Sequence, residues 1–132
     1  MENAPTILAV EDDGLLHSMI EDALRDAGFE CSIVSSGEEA LTLFSGHKDS
    51  YRALVTDINL RGSVDGWEVA RRIRESAPGI PVVYMTGASA DQWTAHGVPH
   101  SILLNKPFAP AQLVTAVAQL LNAGAPDASG PT

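Results

Sequence analysis

Four short apolar runs, each ending on a polar or charged side chain, restrict the fold of this chain more than any other feature. Thr6 to Val10 runs into Glu11, Asp12 and Asp13; Ala53 to Val55 runs through Thr56 into Asp57; Ile80 to Met85 ends on Thr86; Ser101 to Leu104 ends on Asn105 and Lys106. Continuous apolar runs of this length read as strands buried on both faces, the mark of a parallel sheet covered on each side. Pro81 falls among the first residues of its run, where a missing backbone donor disturbs little pairing. Cys31 to Val34 is a further, more polar segment that suits a sheet edge.

Helical spacing fills the gaps between these runs. Leu15, Leu16, Met19, Ile20, Ala23 and Leu24 recur at i, i+3 and i+4, predicting a helix that Ala27 and Gly28 terminate. Ser36 is the expected cap of a second helix, with Ala40, Leu41 and Phe44 on its buried side. Asp65 and Gly66 open a third through Val69, Ala70, Ile73 and Arg74, closed by Pro78 and Gly79. Its arginines, Arg71, Arg72 and Arg74, are expected to solvate the outer face near the negative end of the helix dipole. Asp91 to Thr94 supports only one or two turns before Gly97 and Pro99. Pro110 to Leu121 predicts a last helix, with Leu113, Val114, Val117, Leu120 and Leu121 inward and proline in the first turn. Strands alternating with helices throughout predict an α/β, doubly wound, five-stranded parallel sheet with helices on both faces. The expected domain covers residues 1–122, and residues 123–132, rich in Gly, Ala, Pro and Ser, are expected to be a disordered tail.

A chain of 132 residues supplies one domain and one core. Eight Lys and Arg against 17 Asp and Glu give a formal net charge of −9, which disfavours nucleic acid and anionic membranes as direct partners. Cys31 is the only cysteine, which excludes an internal disulfide and a thiolate metal cluster and suits a reducing cytoplasm. The start of the chain lacks the basic and apolar regions of a signal peptide, and no run approaches the ~20 apolar residues of a membrane span, so a cytoplasmic location is expected. His17, His47, His96 and His100 lack metal-ligand spacing. Neither a Gly-x-Gly-x-x-Gly pattern nor a phosphate-binding P-loop is present, which removes nucleotide binding as a lead.

In parallel sheets ligands gather beyond the carboxyl ends of the strands. Taken singly, Asp57 reads equally well as an acid capping a turn, and one acid after the first strand as a charge favouring a helix N-terminus. Three adjacent acids repel and raise one another's pKa unless a cation is near. If the first, third, fourth and fifth strands are neighbours, Glu11, Asp12, Asp57, Thr86 and Lys106 converge. The chemistry they suit is phosphoryl transfer. Clustered carboxylates bind a hard cation such as Mg²⁺; one carboxylate can attack phosphorus and form an acyl phosphate; a hydroxyl and an ammonium can hold the transferred oxygens.

In type, order and spacing these residues resemble the receiver domain of two-component response regulators, the CheY-like fold, from Thr6 to Leu121. The resemblance implies a strand order of 2-1-3-4-5. It implies that Glu11 and Asp12 are the acidic pair, Asp57 the phosphoacceptor, Thr86 the switch hydroxyl and Lys106-Pro107 the Lys-Pro signature, usually with a cis bond. It further implies Mg²⁺ held by Asp12, Asp57 and the backbone carbonyl of Asn59, with Glu11 acting through water, and phosphoryl contacts from Thr86, Gly87 and Lys106. Where the family often has Tyr or Phe three residues before the lysine, this chain has Leu103, an altered switch position. Tyr84 to Gly87 and the Asn59 to Gly62 loop also resemble a stand-alone receiver subgroup of bacterial stress and phosphorelay signalling.

The function implied is a phosphorylation-dependent switch. A histidine kinase or histidine phosphotransfer protein is the expected donor and a downstream protein the expected target. Neither nucleic acid nor membrane is expected as a partner, and the chain is expected to be a monomer or a weak phosphorylation-dependent dimer. As such it catalyses only its own phosphorylation and dephosphorylation. Two alternatives stand beside it: a small hydrolase of the haloacid dehalogenase type, and a receiver-like scaffold acting unphosphorylated. In the hydrolase class the nucleophile sits on the opening strand with a second acid two residues on, whereas position 59 here is Asn.

Overall fold

In the computed structural model, which describes residues 6–123, strands and helices alternate as the periodicities require. The elements are β1 (Thr6–Val10), α1 (Gly14–Asp26), β2 (Glu30–Val34), α2 (Gly37–Gly46), β3 (Tyr51–Asp57), α3 (Gly66–Ser76), β4 (Val82–Thr86), α4 (Trp93–His96), β5 (Ser101–Asn105) and α5 (Pro110–Ala123). Short 3₁₀ turns at Lys48–Ser50 and Ala90–Gln92 precede β3 and α4. All strand pairs are parallel and the order is β2-β1-β3-β4-β5, so the crossover between β1 and β3 brings the four apolar runs side by side. Helix α5 extends to Ala123, one residue past the expected domain limit, while residues 124–132 of the expected tail lie outside the described residues.

The alternation of side chains along each strand divides the core in two. Leu8, Val10, Leu54, Ile58, Val82 and Tyr84 face α2 and α3, where Ala40, Phe44, Val69, Ala70 and Ile73 meet them. Ile7, Ala9, Ala53, Val55, Val83 and Met85 face α1 and α5, against Ile20, Leu24, Leu113 and Val117. With both sheet faces covered, the central strands carry no polar face, which is why β1, β3 and β4 read as unbroken apolar runs.

The helix ends follow the capping chemistry of the sequence. Ser36 caps α2, its Oγ accepting from the Glu39 amide at 3.1 Å, while Glu39 Oε1 accepts from the Ser35 amide at 3.1 Å. Asp65 caps α3 by accepting from the Glu68 amide at 2.9 Å. Gly28, at φ 95°, closes α1 in a backbone region that other residues rarely adopt. Gly66 is required for a different reason: a Cβ there would collide with the carbonyl oxygen of Asp57 and lie 2.7 Å from the Ile58 Cα. The start of α3 thus rests directly on the end of β3.

One expectation is corrected. Arg71 and Arg72 do lie on the exposed face of α3, paired with Glu68. Arg74 instead turns inward and is half-buried. Its guanidinium donates to the carbonyl oxygens of Ile80 (2.7 Å), Pro99 (2.7 Å) and His100 (3.1 Å). The planar fork of arginine suits several acceptors at once, and the three carbonyls just before β4 and β5 take the place of water around it.

Candidate functional site

Glu11, Asp12, Asp57, Thr86 and Lys106 all sit where β1, β3, β4 and β5 end, on the edge of the sheet that the strand order predicts. Glu11 is fully buried, and its amide donates to the Val34 carbonyl at 3.0 Å, extending the β1 to β2 pairing by one residue. That fixes the direction of its side chain. Glu11 Oε2 accepts from the Asp13 amide at 3.0 Å and Oε1 from Lys106 Nζ at 3.0 Å. The third acid of the run has the simple role: Asp13 Oδ1 accepts from the Leu15 and Leu16 amides at 3.0 and 3.1 Å and caps α1. Asp12 turns toward the β3 to α3 loop, its Oδ2 accepting from the Arg61 amide at 3.2 Å.

Asp57 is 5% exposed and paired to Lys106, with Nζ 3.2 Å from Oδ2. Lys106 is brought there by its own backbone, whose amide donates to the Thr86 carbonyl at 2.8 Å and continues the β4 to β5 ladder. The bond from Lys106 to Pro107 is cis, in agreement with the resemblance. Gly87 lies beside the lysine, and a Cβ there would meet only the Lys106 Cβ at 3.9 Å.

One oxygen from each of Glu11, Asp12 and Asp57 can be chosen so that all lie within 4.8 Å of one another. Burial pushes the Glu11 carboxyl above its usual range, and the charge of Asp57 adds to that, while the Asp13 amide and Lys106 oppose it. Burial alone would lower the Lys106 ammonium, but its hydrogen bond to Glu11 and the charge of Asp57 outweigh that and leave it raised. Three carboxylates therefore face one ammonium. An all-oxygen donor set with surplus negative charge fits a hard divalent cation, so the cluster could bind a metal.

The hydroxyl of Thr86 lies in a second group of contacts. Thr86 Oγ1 accepts from the Ser89 amide (2.8 Å) and the Ala88 amide (3.1 Å), and donates to Asn59 Oδ1 at 3.3 Å. Asn59 enters the sequence reading through its backbone carbonyl only; its side chain and Ser89 are the contributors that reading misses. The available signal is a hydroxyl residue three positions after Thr86 in a loop of otherwise small residues. Leu103 stands on β5 directly opposite Tyr84 of β4.

The family model of the response regulator receiver domain matches residues 7–118. The chain belongs to the response regulator receiver family. A response regulator receiver protein of Anaeromyxobacter sp. (strain Fw109-5) is 37% identical over 111 residues, which cover 84% of this chain and 43% of that protein. The response regulator MprA of Mycobacterium leprae (strain TN) is 29% identical over 123 residues, covering 92% of this chain and 53% of the relative. The chain thus spans about half the length of the curated relatives it matches. Among solved structures, a response regulator receiver protein from Sinorhizobium medicae WSM419 is 46% identical, with a TM-score of 0.88, covering 92% of this chain and 97% of that one. Receiver domains of this family are signalling switches rather than classical enzymes. Among the described residues of the receiver, no helix is long and apolar enough to cross a membrane.

Proposed function

We propose that this receiver is a phosphorylation-dependent switch in which Asp57 accepts a phosphoryl group from the phosphohistidine of a histidine kinase or histidine phosphotransfer protein. The observation that carries this reading is Lys106 Nζ, held between Asp57 Oδ2 at 3.2 Å and Glu11 Oε1 at 3.0 Å. A carboxylate oxygen of Asp57 attacks phosphorus, the bond from phosphorus to the histidine nitrogen breaks, and its electron pair returns to the imidazole. The ring leaves neutral when its other nitrogen carries a proton. Lys106 offsets charge on the transferred oxygens, and Glu11 keeps the lysine aimed at Asp57. Asp12, Asp57 and the Asn59 backbone carbonyl, with Glu11 through water, would hold Mg²⁺, which supplies positive charge against that of the incoming phosphoryl group. Thr86 and the Gly87 amide are the remaining phosphoryl contacts.

The output of this proposal is protein binding in the cytoplasm, since a net charge of −9 disfavours DNA or an anionic membrane. Aspartyl phosphate brings about −2 charge and new acceptor oxygens to the site, enough to bias a two-state surface. The test is incubation with acetyl phosphate and Mg²⁺, followed by intact-mass measurement and acid-stable peptide mapping. Stable single labelling at Asp57, lost in Asp57→Asn, is expected. Rapid multiple turnover would indicate a hydrolase instead, and no labelling an unphosphorylated scaffold.

A further inference from the structure

The resting position of Thr86 is fully accounted for by hydrogen bonds. A hydroxyl has one proton and two lone pairs. Thr86, fully buried, uses both lone pairs on the Ser89 and Ala88 amides, at 2.8 and 3.1 Å, and its proton on Asn59 Oδ1 at 3.3 Å. To donate to a phosphoryl oxygen on Asp57, the Thr86 hydroxyl must release Asn59.

What keeps the Asn59 oxygen turned toward Thr86 is Ser89. An asparagine amide presents an acceptor on one side and a donor on the other, so fixing its nitrogen fixes its oxygen. Asn59 Nδ2 donates to Ser89 Oγ at 3.2 Å, and Ser89 is only 7% exposed. The alternative bond from Ser89 Oγ to Asn59 Oδ1 is longer, at 3.4 Å, and competes with Thr86 for the same acceptor. The Ser89 side chain makes no bond to Thr86 itself, which is held by the Ser89 backbone. Removing the hydroxyl therefore leaves the loop amides in place and frees only the orientation of Asn59.

We propose that Ser89 is a positioning residue which, through Asn59, latches Thr86 in its resting orientation, so that phosphoryl binding at Asp57 must break this latch before Thr86 engages. The inference rests on the reading of Asp57 as phosphoacceptor. A contact made only in the resting state raises the apparent cost of switching, and its loss tightens any ligand that needs the switched state.

Beryllium fluoride with Mg²⁺, a phosphoryl mimic for an aspartate, is the probe, with binding followed by calorimetry and fluorine NMR. Ser89→Ala is expected to bind it about three- to tenfold more tightly than wild type, the worth of one modest hydrogen bond. In a Thr86→Ala background the same Ser89→Ala change is expected to have no effect, since nothing remains to latch. A packing role for Ser89 would act equally in both backgrounds. Equal affinity of wild type and Ser89→Ala, or a gain that persists undiminished without Thr86, overturns the latch while leaving the phosphoacceptor reading intact. Failure of wild type to bind the mimic at all overturns that reading and the latch with it.

Discussion

The hydroxyl of Tyr84 accepts a hydrogen bond from the amide of Val98 at 3.0 Å, tying the middle of β4 to the segment that follows α4. Tyr84 is fully buried, lies two residues before Thr86 on the same face of the strand, and packs on Trp67 with ring centroids 4.8 Å apart. The aromatic side chain missing at Leu103 therefore has a neighbour across the ladder that does reach the α4 region.

Tyr84→Phe leaves the Val98 amide without its partner and is expected to cost about 1–2 kcal/mol. Urea unfolding measures the loss, and faster exchange of the Val98 amide locates it. Burial also raises the Tyr84 phenol above its ordinary value. Above about pH 10 the unfolded chain releases this proton while the folded chain retains it, so wild-type stability falls as pH rises further. The Phe variant is expected to lack that component of the alkaline decline. A Val98 amide that exchanges no faster in the variant would contradict the bond.

Arg74 holds α3 against the segments leading into β4 and β5 through three carbonyl oxygens, and His100 supplies one of them from a left-handed backbone at φ 59°. Arg74→Ala is expected to lose about 2–3 kcal/mol, the range for hydrogen bonds from a charged group. Arg74→Lys keeps the charge but not the fork, and should recover less than half of that loss. Denaturant midpoints of the two variants decide it, and full recovery by lysine would show that charge alone matters.

The parts of the molecule that could be read from sequence are those written locally. Continuous apolar runs placed the strands and a period of 3.6 the helices, and the polar residue ending each apolar run placed Glu11, Asp12, Asp57, Thr86 and Lys106 on one edge once the strands were adjacent. Arg74 was not legible, because an arginine on an amphipathic helix looks the same whether it meets water or carbonyls brought from 6 to 26 residues away. The link between Asn59 and Ser89 spans 30 residues and depends on which way an amide turns, which spacing alone does not encode.

Gly66 and Gly46 make a paired test of how tightly α3 is seated on β3. A Cβ at Gly66 meets backbone of Asp57 and Ile58, whereas one at Gly46, at the end of α2, has nothing within 4 Å. Gly66→Ala is expected to cost about 3 kcal/mol or more, as overpacking against backbone leaves no side chain to move aside. Gly46→Ala should be neutral or stabilising by up to about 1 kcal/mol. Thermal unfolding of the pair checks both, and a stable Gly66→Ala protein would mean that the start of α3 can lift away from Asp57.

The crowding of Glu11, Asp12 and Asp57 predicts opposite responses with and without a divalent cation. Lys106 already pairs with Glu11 and Asp57, whereas Asp12 has only the long, exposed pair with Arg61 Nε at 3.8 Å, so its carboxylate is the one left to repel them. In chelator, Asp12→Asn removes this repulsion at the cost of the solvent-screened Arg61 pair, and should stabilise the fold slightly, by about 0.5–1 kcal/mol. The asparagine oxygen can still accept from the Arg61 amide, so the loop contact survives. In Mg²⁺ the order should reverse. At roughly ten times its dissociation constant a ligand bound only to the native state adds about 1.4 kcal/mol, and wild type is expected to gain this while Asp12→Asn gains little. Asp13→Asn, whose side chain caps α1 and stands outside the cluster, is the control and should respond to Mg²⁺ as wild type does. Melting curves of the three proteins in chelator and across a Mg²⁺ series supply the measurement. An equal Mg²⁺ response in Asp12→Asn and wild type would remove Asp12 from the cation site.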